Sequence, residues 1–221
     1  ILTEKQPYPH SFVLGFAFIP QLKNNIPETI KRAQELIGLS EQYAFVLLGL
    51  QGNIFNAWVM ATAQENPLGV QILESITPVP KMVKLDSFVP WYLALLGQAQ
   101  SVHGKQESAV QSIDEALTYA ESAGGNFYQA ELHRVKGDIL KAQGSPSNTV
   151  EQQYREALAL ARSQSARWWE LRAATSLAEL LIEQEQSRAA YDLLAPVFNW
   201  FTEGFDSPDL IKAQSLLSNL Q

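Results

Sequence analysis

A five-fold internal period constrains this chain more than any other feature. Five helix-forming segments carry pairs of residues seven apart: Thr29/Leu36, Gly69/Ile76, Ala109/Ala116, Val150/Ala157 and Ala190/Val197. The first members follow one another at intervals of 40, 40, 41 and 40 residues. Twelve or thirteen residues ahead of each stands a small residue, namely Ala17, Ala57, Gly97, Gly137 and Ala178. A period of this size implies stacked helix pairs, because each pair buries its apolar face only against its neighbours. The working part of such an array is a surface, not a chemical centre.

Residues Asp86 to Ala123 show the unit best. Helix A is expected over Phe88–Val102, a turn at His103-Gly104-Lys105, and helix B over Glu107–Ser122, with Val110, Ile113, Ala116, Leu117 and Ala120 at helical spacing. Gly124-Gly125-Asn126 breaks the chain before the next unit. Two antiparallel helices approach closely only where no bulky side chain intervenes, so Gly97 and Ala109 are expected to meet at the crossing. Ala116 is expected to seat the next helix A. Leu36, Ile76 and Val197 exceed that size limit and predict looser or shifted junctions. In the first unit helix A covers His10–Leu22, with Pro20 ending or kinking it, and Asn24-Asn25-Ile26-Pro27 forms the turn. The corresponding turns are Asn66-Pro67-Leu68-Gly69, Gly144-Ser145-Pro146-Ser147, and Glu185-Gln186-Ser187, which lacks glycine. Ser207-Pro208-Asp209 reads as N-cap, first helical position and first-turn acid of a last helix, Pro208–Leu220. The expected organisation is all-α: one domain over 1–221, with repeats at about 10–43, 44–86, 87–125, 126–166 and 167–204. A capping helix follows at 208–220, and residues 1–9 form the tail of a preceding helix. Ile1 is not an initiator Met, so the chain reads as a fragment of a larger protein.

Composition narrows the partners. The net charge is −7, which disfavours phosphate backbones and anionic membranes, so neither nucleic acid nor membrane is expected. There are no cysteines, which removes thiol catalysis and Cys-based zinc sites and fits a reducing cytoplasm. Tyr43–Gln64 is uncharged and of membrane-spanning length, but Gln51, Asn53 and Asn56 interrupt it and it fills a repeat slot occupied elsewhere by charged helices. It reads as a buried helix. No phosphate-binding loop or nucleophile elbow is present. His10, His103 and His133 lack metal spacing, so no catalytic residue, cofactor or metal is expected. His103 reads as solvated, and Asp114-Glu115 and Glu183/Glu185 as solvated faces.

The pattern resembles the tetratricopeptide (TPR) repeat. In Pro90–Ser122, Leu96, Gly97, Gly104, Ala109, Ile113 and Ala116 fall on the family's small and large positions, although the period is about 40 residues rather than 34 and Gln100 stands where the family carries Tyr. Over Phe127–Leu220, phrases such as Ala130-Glu131-Leu132-His133-Arg134 and Trp200-Phe201-Thr202-Glu203-Gly204-Phe205-Asp206-Ser207-Pro208 are similar to the C-terminal repeat region of large bacterial AAA/STAND-type signalling ATPases, often fused to adenylate/guanylate cyclase or DNA-binding domains. The resemblance implies a right-handed superhelix of about five hairpins with a C-terminal cap, acting as a sensor or docking arm.

It also implies a concave groove lined by helix A. Carried over residue by residue, the lining comprises Leu14, Phe18 and Gln21; Ile54, Trp58 and Ala61; Trp91, Ala94, Gln98 and Ser101; Glu131, Arg134, Asp138 and Lys141; and Arg172, Thr175, Glu179 and Ile182. Such a groove is aromatic at one end and charged at the other, and suits a protein or peptide partner, including other domains of the same chain. Two other readings stand beside it: a small molecule held near Phe18, Trp58 and Trp91, and a homodimer through Phe12, Phe16 and Ile19. The aromatic residues equally fit a core. The pairs Glu131/Arg134 and Asp138/Lys141 have the spacing for ion pairs along one helix.

Overall fold

The computed structural model describes residues 17–82, 88–122 and 128–220. The expected tail 1–9, His10, Phe12, Leu14, Phe16 and the Gly124-Gly125-Asn126 break lie outside these residues. The described chain is helical: α1 (Phe18–Leu22), α2 (Ile26–Tyr43), α3 (Val46–Thr62), α4 (Pro67–Ile76), α5 (Pro78–Met82), α6 (Val89–Val102), α7 (Gln106–Ser122), α8 (Gln129–Ala142), α9 (Ser147–Ser163), α10 (Arg167–Glu183), α11 (Ser187–Phe198) and α12 (Pro208–Asn219). They form two compact units. One holds α1 to α5 with Val102–Gly104; the other holds α6 up to Ser101 and everything described from Lys105 onward.

In the first unit the uncharged α3 packs on α2 before it and α4 after it. It buries Gly52, Ile54, Phe55, Ala57, Trp58, Val59 and Ala61, as a helix apolar on all sides must. Among the described residues no helix is long and apolar enough to cross a membrane. The turn chemistry follows the sequence. Asn25 Oδ1 accepts the Glu28 N–H at 3.2 Å and Asn66 Oδ1 the Leu68 N–H at 3.0 Å, with a proline in the first turn behind each cap. Pro20 lies within α1, and the part of the expected helix that precedes it, residues 10–16, lies outside the described residues. The second helix B, α4, is shorter than α2 and α7. It stops at Thr77, whose hydroxyl bonds back to Leu73 O at 2.6 Å, because Pro78 supplies no N–H to continue the ladder.

The small residues do as the period requires, with two corrections. A Cβ on Gly69 would stand 2.6 Å from Ala61 N, so the α3–α4 crossing is backbone to backbone. At Gly97 the added atom would be 3.2 Å from Ala109 O, and beside it Ser112 Oγ donates to Gln100 Oε1 at 2.8 Å. Gln100 therefore ties the hairpin at the position where the family carries Tyr. The first correction concerns Leu36: the junction is not loose. Leu36 is fully buried and Gly52 on the incoming α3 yields the space, its hypothetical Cβ falling 3.1 Å from Leu36 Cβ. Val197, also expected to loosen a junction, is buried. The second concerns Gly137, which receives the ring of Tyr154 rather than Val150.

In the second unit α8 packs on α7 and α9, α10 on α9 and α11, and α12 on α11. Helices two apart also touch: α8 with α10, and α10 with α12. The A helices thus form a continuous layer closed by α12, which inserts Leu210, Ala213 and Leu217 into the core. Ser207 sits at the N-cap position with extended backbone, but its hydroxyl makes no cap bond and is buried without a partner. The glycine-free turn places Glu185 in the left-handed region at φ 61°.

Three stability outcomes are expected. Gly69→Ala and Gly137→Ala should each lower the free energy of unfolding in urea by about 1–3 kcal/mol through overpacking. Gly97→Ala should fall within about 1 kcal/mol of the parent, since the gain in helix propensity offsets a milder contact. Glu185→Gly should raise the urea midpoint by the equivalent of about 0.5–1 kcal/mol, the left-handed strain relieved minus the entropy added to the unfolded chain.

Candidate functional site

Residues three or four apart share one face of a helix. On α8 this aligns Glu131, Arg134, Asp138 and Lys141; on α10, Arg172, Thr175, Glu179 and Glu183. Because α8, α10 and α12 touch in succession, these faces meet. Arg134 clamps Glu131 with two hydrogen bonds, Nε to Oε2 at 2.8 Å and Nη2 to Oε1 at 2.7 Å. Its Nη1 pairs with the Asp138 carboxylate and reaches Ser176 Oγ at 3.5 Å, the limit of a hydrogen bond. Glu131 Oε1 also receives Arg172 Nη1 at 3.0 Å, and Arg172 Nε lies 3.7 Å from Asp209 Oδ1 on α12. The result is a chain of alternating charge, Asp138–Arg134–Glu131–Arg172–Asp209, across three helices. Tyr154 on α9 donates its phenolic hydrogen to Asp138 Oδ1 at 2.8 Å. Nearer solvent, Lys141 pairs with Glu183 at 2.6 Å and Lys212 with Glu179 at 2.9 Å.

Burial makes the chain of charges consequential. Glu131 is 1% exposed and Arg134 9%, so each depends on its partners. Burial works against the Arg134 charge, but Asp138 and Glu131 outweigh it and hold the guanidinium well above its ordinary range. Burial, reinforced by Asp138, pushes the Tyr154 hydroxyl up and keeps it a donor. Asp209 is the weak link. Burial raises its pKa above the ordinary 3.8, only partly countered by Arg172. The nearby Trp168 indole N–H also favours the carboxylate, although it closes no well-formed hydrogen bond to Asp209 Oδ2.

The expected groove residues therefore divide. Glu131, Arg134, Asp138 and Arg172 converge in one network, and Glu179 joins the same face through Lys212. Trp91 reaches the network through Trp169: the Trp91 and Trp169 rings lie 6.1 Å apart and the Arg172 guanidinium sits 5.7 Å from the Trp169 centroid. Trp91 also packs on Tyr128 at 5.5 Å. Trp91 is nevertheless 2% exposed, Trp58 5% and Ile54 0%, so these three are core side chains. Phe18 and Gln98 are half-buried. The expected Asp138–Lys141 pair is replaced, because Arg134 and Tyr154 take Asp138 and Lys141 turns to Glu183. Glu183 is consequently a paired group. Asp114 likewise pairs with Lys136 at 2.7 Å. His103 is half-buried, not solvated, and its Nε2 lies 3.0 Å from Ala61 O. A carbonyl only accepts, so Nε2 carries the hydrogen. His133 Nδ1 meets Gln153 Oε1 at 3.1 Å.

Tyr154, Trp169, Ser176, Asp209 and Lys212 were not expected at this face. A signal existed: cross-repeat partners sit one period apart, as in Arg134/Ser176 and Lys141/Glu183, each 42 residues apart.

Arg134→Met should lower the free energy of unfolding by about 3 kcal/mol, since it leaves the buried Glu131 carboxylate with Arg172 alone. Adding Glu131→Gln should recover part of the loss in the same urea titration. Asp209 sets a pH dependence. A carboxyl raised on folding stabilises fully below its unfolded value, and that contribution is lost as pH rises through the folded value. Asp209→Asn should therefore melt above the parent at pH 7, with the gap closing as the pH falls to about 4.

No protein-family model matches the chain. An uncharacterized protein of Rhizobium meliloti (strain 1021) is 32% identical over 92 residues, 42% of this chain but only 9% of that protein. The match thus spans about a tenth of the length of its much larger relative. Among solved structures, the chain is similar to a kinesin light chain-like protein of Podosopora anserina with nearly identical TPR-like repeats, at TM-score 0.56 and 12% identity over 99% of both chains. A single-residue variant of that protein aligns at TM-score 0.58 and 14% identity over 86% of this chain and 93% of its own. These likenesses are of fold: the chain has the all-helical, TPR-like repeat architecture.

Proposed function

We propose that this chain is a non-catalytic docking arm: a TPR-like scaffold that binds a protein partner through its layer of A helices, as a regulatory part of a larger bacterial signalling ATPase or nucleotide cyclase. The observation that carries this reading is the stacking of α8, α10 and α12, which presents one polar rim from two repeats and the terminal helix. Asp138, Lys141, Glu179 and Lys212 stand on that rim with side chains reachable from solvent. A much longer relative that shares only a short matching stretch supports the place within a larger chain. Partner binding across the layer acts on the attached catalytic part by favouring one of its arrangements. The small-molecule reading gains no support, because Trp58 and Trp91 have no face open for a ligand to stack on.

The test is a charge swap. Glu179→Lys with Lys212→Glu retains an ion pair and inverts the sign pattern of the rim. In the full-length parent this variant should change nucleotide turnover, or its response to a partner, by about tenfold, with the melting temperature unchanged. Unaltered turnover, or a parent with no nucleotide-hydrolysing or nucleotide-cyclising part, defeats the reading.

A further inference from the structure

The loop between α11 and α12 has no part in the helical layer just described. We propose that it is a second docking surface, built to take a basic amphipathic segment of a partner protein. Three observations carry it.

The first is length. The turns after α9 and α10 are Gln164–Ala166 and Gln184–Gln186, three residues each, whereas this connection runs from Asn199 to Ser207. A hairpin array does not need nine residues to reverse direction, and long connections in compact folds are usually functional.

The second is that the loop is rigid and nevertheless exposes its largest side chains. Gly204 takes φ 76°, and Ser207 N–H bonds Gly204 O at 2.9 Å. The Phe198 and Phe205 rings pack at 5.8 Å, and Phe201 stands edge-on to Trp168 at 5.9 Å and to Trp200 at 5.2 Å. Arg167 caps the Trp200 ring at 5.3 Å, and its guanidinium is itself held by the buried Glu170 at 2.7 Å. Even so, Trp200 is 55% exposed and Phe205 43%. An indole fixed in one rotamer loses little entropy on binding, which makes it an anchor rather than a mobile surface residue.

The third is charge. Glu203 and Asp206 lie in the same loop, are exposed, and pair with no cation among the described residues. Aromatic rings beside unpaired carboxylates complement apolar side chains interleaved with Lys or Arg: the acids attract the cations, and the rings, one face of Trp200 being already under Arg167, take the apolar side chains. The same acids repel an anionic membrane and a second copy of this acidic loop.

A synthetic 18-residue Lys/Leu amphipathic peptide serves as probe, with a Glu/Leu peptide of the same apolar pattern as control. Titration into the whole chain, read by tryptophan fluorescence and by calorimetry, should show saturable binding of the Lys/Leu peptide only. Trp200→Ser with Phe205→Ser, which leaves the charge intact, should weaken it at least tenfold. Glu203→Lys with Asp206→Lys should do the same. Equal binding by the aromatic double variant overturns the proposal, as does equal binding of the Glu/Leu peptide or no binding at all. A sedimenting mass that rises with protein concentration and returns to monomer in the aromatic double variant also overturns it, in favour of self-association. None of these results bears on the charge swap on the A-helix layer.

Discussion

Close contact between helices at residues with little or no side chain is the constraint on which the rest of this structure depends. At Gly69 and Gly97 the partner's backbone carbonyl or amide stands where a Cβ would be. Helices that near to one another exclude water from the seam and bring flanking Leu, Ile and Tyr into mutual contact. The gap between a small residue on helix A and its partner on helix B is one helix half, a turn, and another half. That length recurs because the geometry of the crossing recurs, and the 40-residue period is its trace in the sequence. Leu36 with Gly52 shows that the requirement belongs to the pair: when one side is large the other gives up its side chain.

Apolar crossings set the distance between helices but discriminate weakly between neighbouring registers, because one ridge of Leu and Ala resembles the next. The buried chain from Asp138 to Asp209 supplies what they lack. Between helices the partners are specific, and a slip by one turn would part the buried Glu131 from Arg172 and leave it only Arg134 on its own helix. Charge alternation also joins helices that are not adjacent in sequence, so α8 constrains α12 through α10. Replacing such a network by well-packed apolar side chains can be neutral for stability, so its contribution lies in which arrangement is stable more than in how stable it is. Asp209, at the far end, is the member with the fewest partners and the greatest conflict between burial and charge.

The period was legible in the sequence because it reflects local packing repeated five times; helix bounds, turns and the terminal helix all follow from residues near one another in the chain. What sequence reasoning missed is long-range or cooperative. The Asp138–Lys141 spacing was sound for an isolated helix, but an isolated helix has no Tyr154 or Arg134 fork competing for the carboxylate. The aromatic end of the expected groove was misplaced for a related reason. Helical phase tells which residues share a face, and it does not tell whether a neighbouring repeat covers that face. Trp91 and Trp58 are covered. The stop of α4 at Thr77 is by contrast local, set by Pro78.

Tryptophan serves two opposite ends in the second unit, and the difference follows from position in the array. Trp91 and Trp169 lie on A helices and pack ring against ring, enclosed and contributing contact area to the core. Trp200 lies in the long loop after α11, and one side of its ring is exposed. A polar rim such as that formed by Asp138, Lys141, Glu179 and Lys212 gives orientation and encounter rate but little affinity, because water screens each pair. Affinity comes from aromatic anchors that are already fixed before binding. In this fold the enclosed repeats cannot offer such an anchor without opening the core, and the long loop after α11 can. Recognition by rim and recognition by anchor are thus separated along the chain for the same reason that the interior repeats are stable: what packs on both sides is no longer available to a partner.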